Sequence, residues 1–223
     1  MSKKLFAEAI IKFTVGVVLV GALIFWPAGT LAFHRGWLLM ALLFVPMFLA
    51  GLVMMKKNPA LLSMRLQAKE KEKEQDVVQK LCGLMFIAGF VLAGLDHRCG
   101  WTHMPAWSLF PSALAFLVCY LGYAEVLREN AWLSRTVGVA EGQQVVDDGL
   151  YGIVRHPMYM MTLGLFLTMP LLLGSWASFA VFLLYPLLIV RRILNEEKVL
   201  AKELPGYEQY MQKVRYRMIP YIW

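Results

Sequence analysis

The sequence is poor in charge. Only 17% of its 223 residues are Asp, Glu, Lys or Arg, and 59% are hydrophobic, where soluble domains carry about 25% charged residues. Cysteine is scarce too. Cys82, Cys99 and Cys119 are widely spaced and no CxxC occurs, so neither a disulfide framework nor a metal site is indicated. The middles of the apolar runs hold almost no charge, which speaks against a small transporter or scaffold built on intramembrane ions. There is no internal repeat and no nucleic-acid motif. The net charge of +7 comes from bases scattered beside apolar blocks, the pattern of membrane-helix flanks rather than of a nucleic-acid surface.

What is present is apolar sequence in long blocks. Crossing ~30 Å of hydrocarbon takes ~20 helical residues, and four spans of about that length are expected near 12–33, 37–55, 79–95 and 106–127. The first block is too long for the apolar core of a signal peptide and reads as a retained span. His34-Arg35-Gly36 reads as the tight turn between the first two spans. Asn58-Pro59 is a good helix start, and the KEKEKEQD stretch after it reads as a solvated, charge-balanced connector. A fifth block, 158–194, is too long for one helix. It reads as a hairpin turning at Leu173-Gly174-Ser175, its arms bent by Pro170 and Pro186. The fold class is thus an all-α integral membrane protein of about five to six transmembrane helices. A membrane region over 1–127 and a C-terminal region over 128–223 form one structural unit. Placing both termini in the cytoplasm leaves only Arg35 and Arg98 among the basic residues outside.

Two polar groupings border the hairpin. Arg155-His156-Pro157 precedes it within GLYGIVRHPMY, and Asn195-Glu196-Glu197 comes after it. A folded hairpin brings both to one cytoplasmic mouth. The preceding stretch has Gly138, Gly142, Gly149 and Gly152 among short β-branched pieces, so it reads as a looped, partly extended segment with free backbone groups for a polar ligand. The tail after Glu197 reads as an amphipathic helix broken at Leu204-Pro205-Gly206. Each residue alone has a structural explanation: a snorkelling Arg, an interfacial His or Tyr, a Glu pair answering a helix dipole. His34, His97 and His103 stay in that interfacial class. The convergence around Arg155, His156 and the Glu pair is what points to chemistry.

GLYGIVRHPMY, an apolar hairpin, then NEEKVLAKELPGYEQYMQKVRYRMIP resembles the C-terminal signature of the isoprenylcysteine carboxyl methyltransferase family, relatives of the phospholipid N-methyltransferases. NPALLSMRLQ and LDHRCGW are similar to bacterial-type members. The resemblance implies S-adenosyl-L-methionine as cofactor and a lipid-like or prenylated acceptor, carboxylate or thiol, methylated at the cytoplasmic face. Membrane lipids are the expected surroundings, with neither nucleic acid nor metal. Matched position by position, it implies cofactor contact by Thr136, Gln143, Gln144, Val145, Val146, Tyr151, His156, Pro157, Met158, Tyr159 and Glu197. His156, Glu196 and Arg192 are the candidate catalytic residues. One position departs. Where eukaryotic members carry an acceptor-binding arginine, this chain has Ile193, and one residue of helix register turns a side chain by about 100°.

The chemistry agrees with these residue types. A sulfonium is stabilised by tyrosine faces at about 0.5–2 kcal/mol per cation–π contact. Glu197 suits the cofactor's ammonium or ribose hydroxyls, and Arg155 a carboxylate or lipid phosphate. The transfer is an in-line displacement in which positioning contributes on the order of 7–11 kcal/mol in good cases. An ionised acceptor needs no base; an amine or thiol would give its proton to Glu196 or His156. The alternative is an NADPH-dependent membrane reductase of the sterol-reductase type, which carries a similar R-H-P-x-Y motif.

Overall fold

The structure, a computed structural model, describes residues 3–66, 73–133 and 138–223. Among these residues the chain is all helical and has no strand. The helices are α1 (Lys3–Ala28), α2 (His34–Lys57), α3 (Pro59–Leu66), α4 (Lys73–Cys99), α5 (Leu109–Glu129), α6 (Pro157–Leu173), α7 (Trp176–Phe182), α8 (Tyr185–Glu203) and α9 (Tyr207–Lys213). Short 3₁₀ turns occur at Ala106–Ser108 and Gly149–Gly152. Five segments are long and apolar enough to cross a membrane: Lys4–Ala28, His34–Lys57, Gln75–Cys99, Ala106–Glu129 and Trp176–Glu203, the last comprising α7 and α8. α6 is shorter, with 17 residues. At 1.5 Å per residue it reaches about 25 Å.

Local chemistry sets several boundaries. Asn58 Oδ1 accepts a hydrogen bond from Leu61 N–H at 3.0 Å and starts α3 at Pro59, as the sequence suggests. Ser175 Oγ accepts from Ser178 N–H at 3.1 Å and starts α7. The first turn is displaced from its expected place. α1 ends at Ala28 because Gly29 takes a positive φ of 65° and donates its N–H to Phe25 and Trp26 carbonyls. The connection therefore runs over 29–33, and His34-Arg35-Gly36 is already the first turn of α2. The return arm is not one bent helix. It breaks at Leu183-Leu184, where Pro186 has no N–H to continue the ladder into α8.

The core forms where α1 lies along α4, α5 along α6, and α4 meets both α7 and α8. Phe33, Phe116, Phe182, Leu172 and Ile193 are fully buried in it. Exposed Trp26, Trp37, Trp101, Trp107 and Trp176 ring one end of the bundle, the end of the 29–33 turn and the hairpin tip. That ring marks a headgroup boundary. The α1–α4 contact depends on Gly94. A Cβ there would stand 2.5 Å from Ile24 O and 3.0 Å from Ala28 N, both backbone atoms that cannot swing aside. Gly94→Ala is expected to destabilise the protein by about 1–3 kcal/mol, the usual range for overpacking, read as a lower thermal midpoint in detergent. An unchanged midpoint would show that α1 is only loosely held.

Candidate functional site

α8 sets the site through its register. Tyr185, Ile189, Ile193 and Glu197 recur every fourth residue and form its buried stripe. Arg192 and Glu196, also four apart, share the adjacent stripe. Ile193 is fully buried in the core, and Arg192 reaches the site instead.

Glu197 ties the segments that flank the hairpin together. Its Oε1 accepts from Arg155 Nε at 2.7 Å and its Oε2 from Arg217 Nε at 2.8 Å. His156 Nε2 lies 3.4 Å from Oε1, at the long edge of hydrogen-bond distance. The two groupings that the hairpin was expected to unite are thus in touch. Arg155 also donates through Nη1 to the carbonyls of Val214 at 2.8 Å, Arg215 at 3.1 Å and Met211 at 3.4 Å. The backbone N–H groups of Arg155 and His156 donate to Tyr216 O and Arg217 O, at 2.9 and 2.7 Å. The tail after α9 is thereby laid along the start of α6.

A cleft opens beside this junction. Its cavity volume is about 90 Å³ and it is open at its mouth. Gln143, Gln144, Val145, Val146, Tyr151, His156, Met158 and Tyr159 all line it, as does Glu196. Pro157 does not; it is the buried first residue of α6. Glu197 does not line it either, because its carboxylate is committed to the two arginines. Thr136 lies outside the described residues. The opposite wall, Leu200, Leu204, Tyr207 and Tyr210, comes from the end of α8 and from α9. Asn130, Trp132 and Leu133, just beyond the end of α5, also line it, as do Gly138 and Arg155. The sequence marks Leu200, Leu204, Tyr207 and Tyr210 as a broken amphipathic tail that lies at the interface or folds over a site, without naming them as site residues; Asn130, Trp132, Leu133 and Arg217 were passed over.

Three buried polar atoms of lining residues have no hydrogen-bond partner: Tyr151 Oη, Tyr207 Oη and His156 Nε2. Burial raises the pKa of Tyr151, Tyr207 and Tyr210, so their phenols stay protonated. The Tyr210 hydroxyl donates to Tyr151 O at 2.7 Å and fixes that wall. The 3₁₀ turn carrying Tyr151 is held from below. Leu150 N–H donates to Glu129 Oε2 at 2.9 Å, and Gly149, at φ 53°, leaves room for that carboxylate where a Cβ would lie 2.0 Å from it.

A second, largely apolar cavity adjoins the cleft. Val78, Phe86, Phe166 and Ile189 line its body, and its polar groups include Arg65, Gln79, Tyr123, Thr162, Tyr185 and Arg192. Met158 and Tyr159 line both spaces and form a shared wall. Across that wall, Arg192 Nε donates to the Tyr159 oxygen at 2.8 Å, and the Tyr159 hydroxyl donates to Glu196 Oε2. Arg65 donates to the Tyr123 hydroxyl and lies 3.8 Å from Met158 Sδ.

Residues 107–205 match the phospholipid methyltransferase family. The match runs from α5 through α8 and includes the shared wall and both glutamates; Tyr207, Tyr210 and Arg217 lie beyond it. It supports a membrane methyltransferase. Over 91 residues, 40% of the chain, the sequence is also 31% identical to the Delta(14)-sterol reductase TM7SF2 of Mus musculus. That likeness takes in 22% of the reductase, so the chain spans about a fifth of the relative's length. Among the described residues no group of three or more His, Cys, Asp or Glu is placed to hold a metal ion.

Proposed function

We propose that the protein transfers a methyl group from S-adenosyl-L-methionine to a lipid-like acceptor of carboxylate or thiol type, isoprenylcysteine-like compounds included, at the cytoplasmic face of the membrane. The observation that carries this reading is the shared wall. A polar, aromatic cleft and an apolar cavity meet at Met158 and Tyr159, as required of an enzyme that brings a nucleoside and a lipid tail together.

The cleft residues fit the cofactor. Three unpartnered buried polar atoms wait for hydrogen bonds, Gln143 and Gln144 offer amides, and Glu196 with the tyrosine faces suits a cation. S-adenosylmethionine, which phospholipid methyltransferases typically use, supplies an electrophilic methyl group on a sulfonium. The chain's own residues do the rest. Tyr159 and Met158 align the two spaces, the apolar cavity keeps water from the reacting atoms, and Arg192 and Arg65 orient an anionic acceptor head. Both termini and the cleft are assigned to the cytoplasm from the distribution of basic residues.

The likeness to a sterol reductase keeps NADPH as the competing cofactor for the same cleft. Calorimetry on the purified chain separates the two. S-adenosylhomocysteine is expected to bind and NADPH is not. His156→Ala is expected to weaken that binding by about 10-fold, the effect of one hydrogen bond of about 1.5 kcal/mol. Binding of NADPH alone would replace this reading with the reductase.

A further inference from the structure

At the end of the bundle opposite the cleft, a separate cavity sits under the hairpin tip, lined by Arg35, Asp96, His97, Thr102, His103 and Gly174 among others. Its carboxylate, Asp96, and its guanidinium, Arg35, make no bond to each other. Asp96, 2% exposed, is committed elsewhere: its carboxylate accepts from Thr102 N–H at 2.7 Å, from the Thr102 hydroxyl at 2.5 Å and from the Ser175 hydroxyl. Arg35 Nη1 is fully shielded from solvent and has no hydrogen-bond partner. A buried donor on a charged group left unpaired is costly, so the position calls for an acceptor.

The hairpin tip is shaped around that guanidinium. Gly174 stands in the left-handed region at φ 78°, and a Cβ on it would lie 2.9 Å from Arg35 Nη1. A Cβ there would make the flexible end of the arginine shift. His97, stacked on Phe33 at 4.0 Å, and His103 add ring nitrogens around the space. The surrounding tryptophan ring, with Trp37, Trp101 and Trp176 nearest in sequence to the lining residues, sets the depth at which lipid phosphates lie. An Arg at a span end ordinarily snorkels outward; this one turns a nitrogen inward to a cavity.

We propose that this cavity is a phosphate site that holds a phospholipid headgroup through Arg35, on the face opposite the cofactor cleft. It needs nothing from the methyltransferase reading.

The test is thermal unfolding of the full chain in neutral detergent, titrated with dihexanoyl phosphatidic acid, dihexanoylglycerol or inorganic phosphate. Phosphatidic acid is expected to raise the midpoint saturably, and dihexanoylglycerol to leave it unchanged. Equal shifts from the two lipids, or none, overturn the proposal. Inorganic phosphate matching phosphatidic acid at equal concentration assigns the site to free phosphate and overturns the lipid assignment. Arg35→Gln is expected to raise the half-saturating concentration by about 10-fold or more, as for a charged hydrogen bond. Arg98→Gln, at the same face but outside the lining, is expected to change it by less than about 3-fold, within the small effects of exposed charges. Equal affinity of Arg35→Gln and the parent chain overturns the assignment. Should Arg35→Gln not fold, His103→Ala at an exposed position carries the comparison, with weaker phosphatidic acid binding expected and unchanged binding counting against the site.

Discussion

Glu197→Gln is expected to lower the thermal midpoint sharply and to abolish measurable S-adenosylhomocysteine binding, although Glu197 does not line the cleft. The reason is the charge left behind. Arg155 is 7% exposed and gives its Nε to Glu197; Arg217 gives its own Nε to the other oxygen. Glutamine keeps the shape but loses the charge and turns an N–H₂ toward one of the two guanidinium donors. Breaking a buried pair in this way costs about 3–5 kcal/mol. The loss falls on the cleft because Arg155 also binds the carbonyls of Met211, Val214 and Arg215, and His156 leans on the same carboxylate. Tail and α6 come apart together, and Tyr207 and Tyr210 leave the wall they form. Differential scanning fluorimetry and calorimetry read the two losses separately. A variant with normal melting and normal binding would show that the tail is held by its backbone bonds alone.

Tyr159→Phe is expected to do the reverse: cofactor binding within about 3-fold of the parent, because the ring face remains, but methyl transfer reduced by roughly 10- to 150-fold. That range corresponds to losing a hydrogen bond to a charged group, about 1.5–3 kcal/mol. The hydroxyl links the two spaces across their shared wall: it accepts from Arg192 and donates to Glu196. Without it, Arg192 of the apolar cavity and Glu196 of the cleft lose the oxygen that spaces them. The readout pairs S-adenosylhomocysteine calorimetry with transfer of labelled methyl groups into a membrane lipid extract. Parallel loss of binding and transfer would mean that Tyr159 only supports the cleft.

The spans and the hairpin were legible because hydropathy and a turn-forming Gly174 are properties of contiguous residues. The meeting of His156 with Glu197 came from the hairpin alone. Which glutamate does what was not legible. Glu196 and Glu197 are neighbours, and only the packed face of α8 decides that Glu197 turns inward to arginines while Glu196 turns to the cleft. The same register buries Ile193 and brings Arg192 to the second cavity, so the departure from the family pattern leaves an arginine at the wall from one position earlier. Arg217 was invisible for another reason. It reaches Glu197 through a two-bond backbone pairing of 155–156 with 216–217, and no local pattern announces a pairing some sixty residues apart. The first turn was misplaced because Gly29 and Gly36 are equally plausible breakers in sequence, and only the positive φ of Gly29 selects between them.

The strap formed by residues 214–217 has a consequence for biosynthesis. The crossing helices can enter the lipid one after another as the ribosome delivers them, since each is apolar enough or packs on its predecessor. Arg155 cannot complete its set of bonds in that interval, because three of its carbonyl partners and the cation sharing its carboxylate are translated only after α8. The nascent protein therefore completes its crossings before the cleft closes, and a ribosome stalled short of codon 217 would release a correctly threaded chain whose pocket had never been sealed.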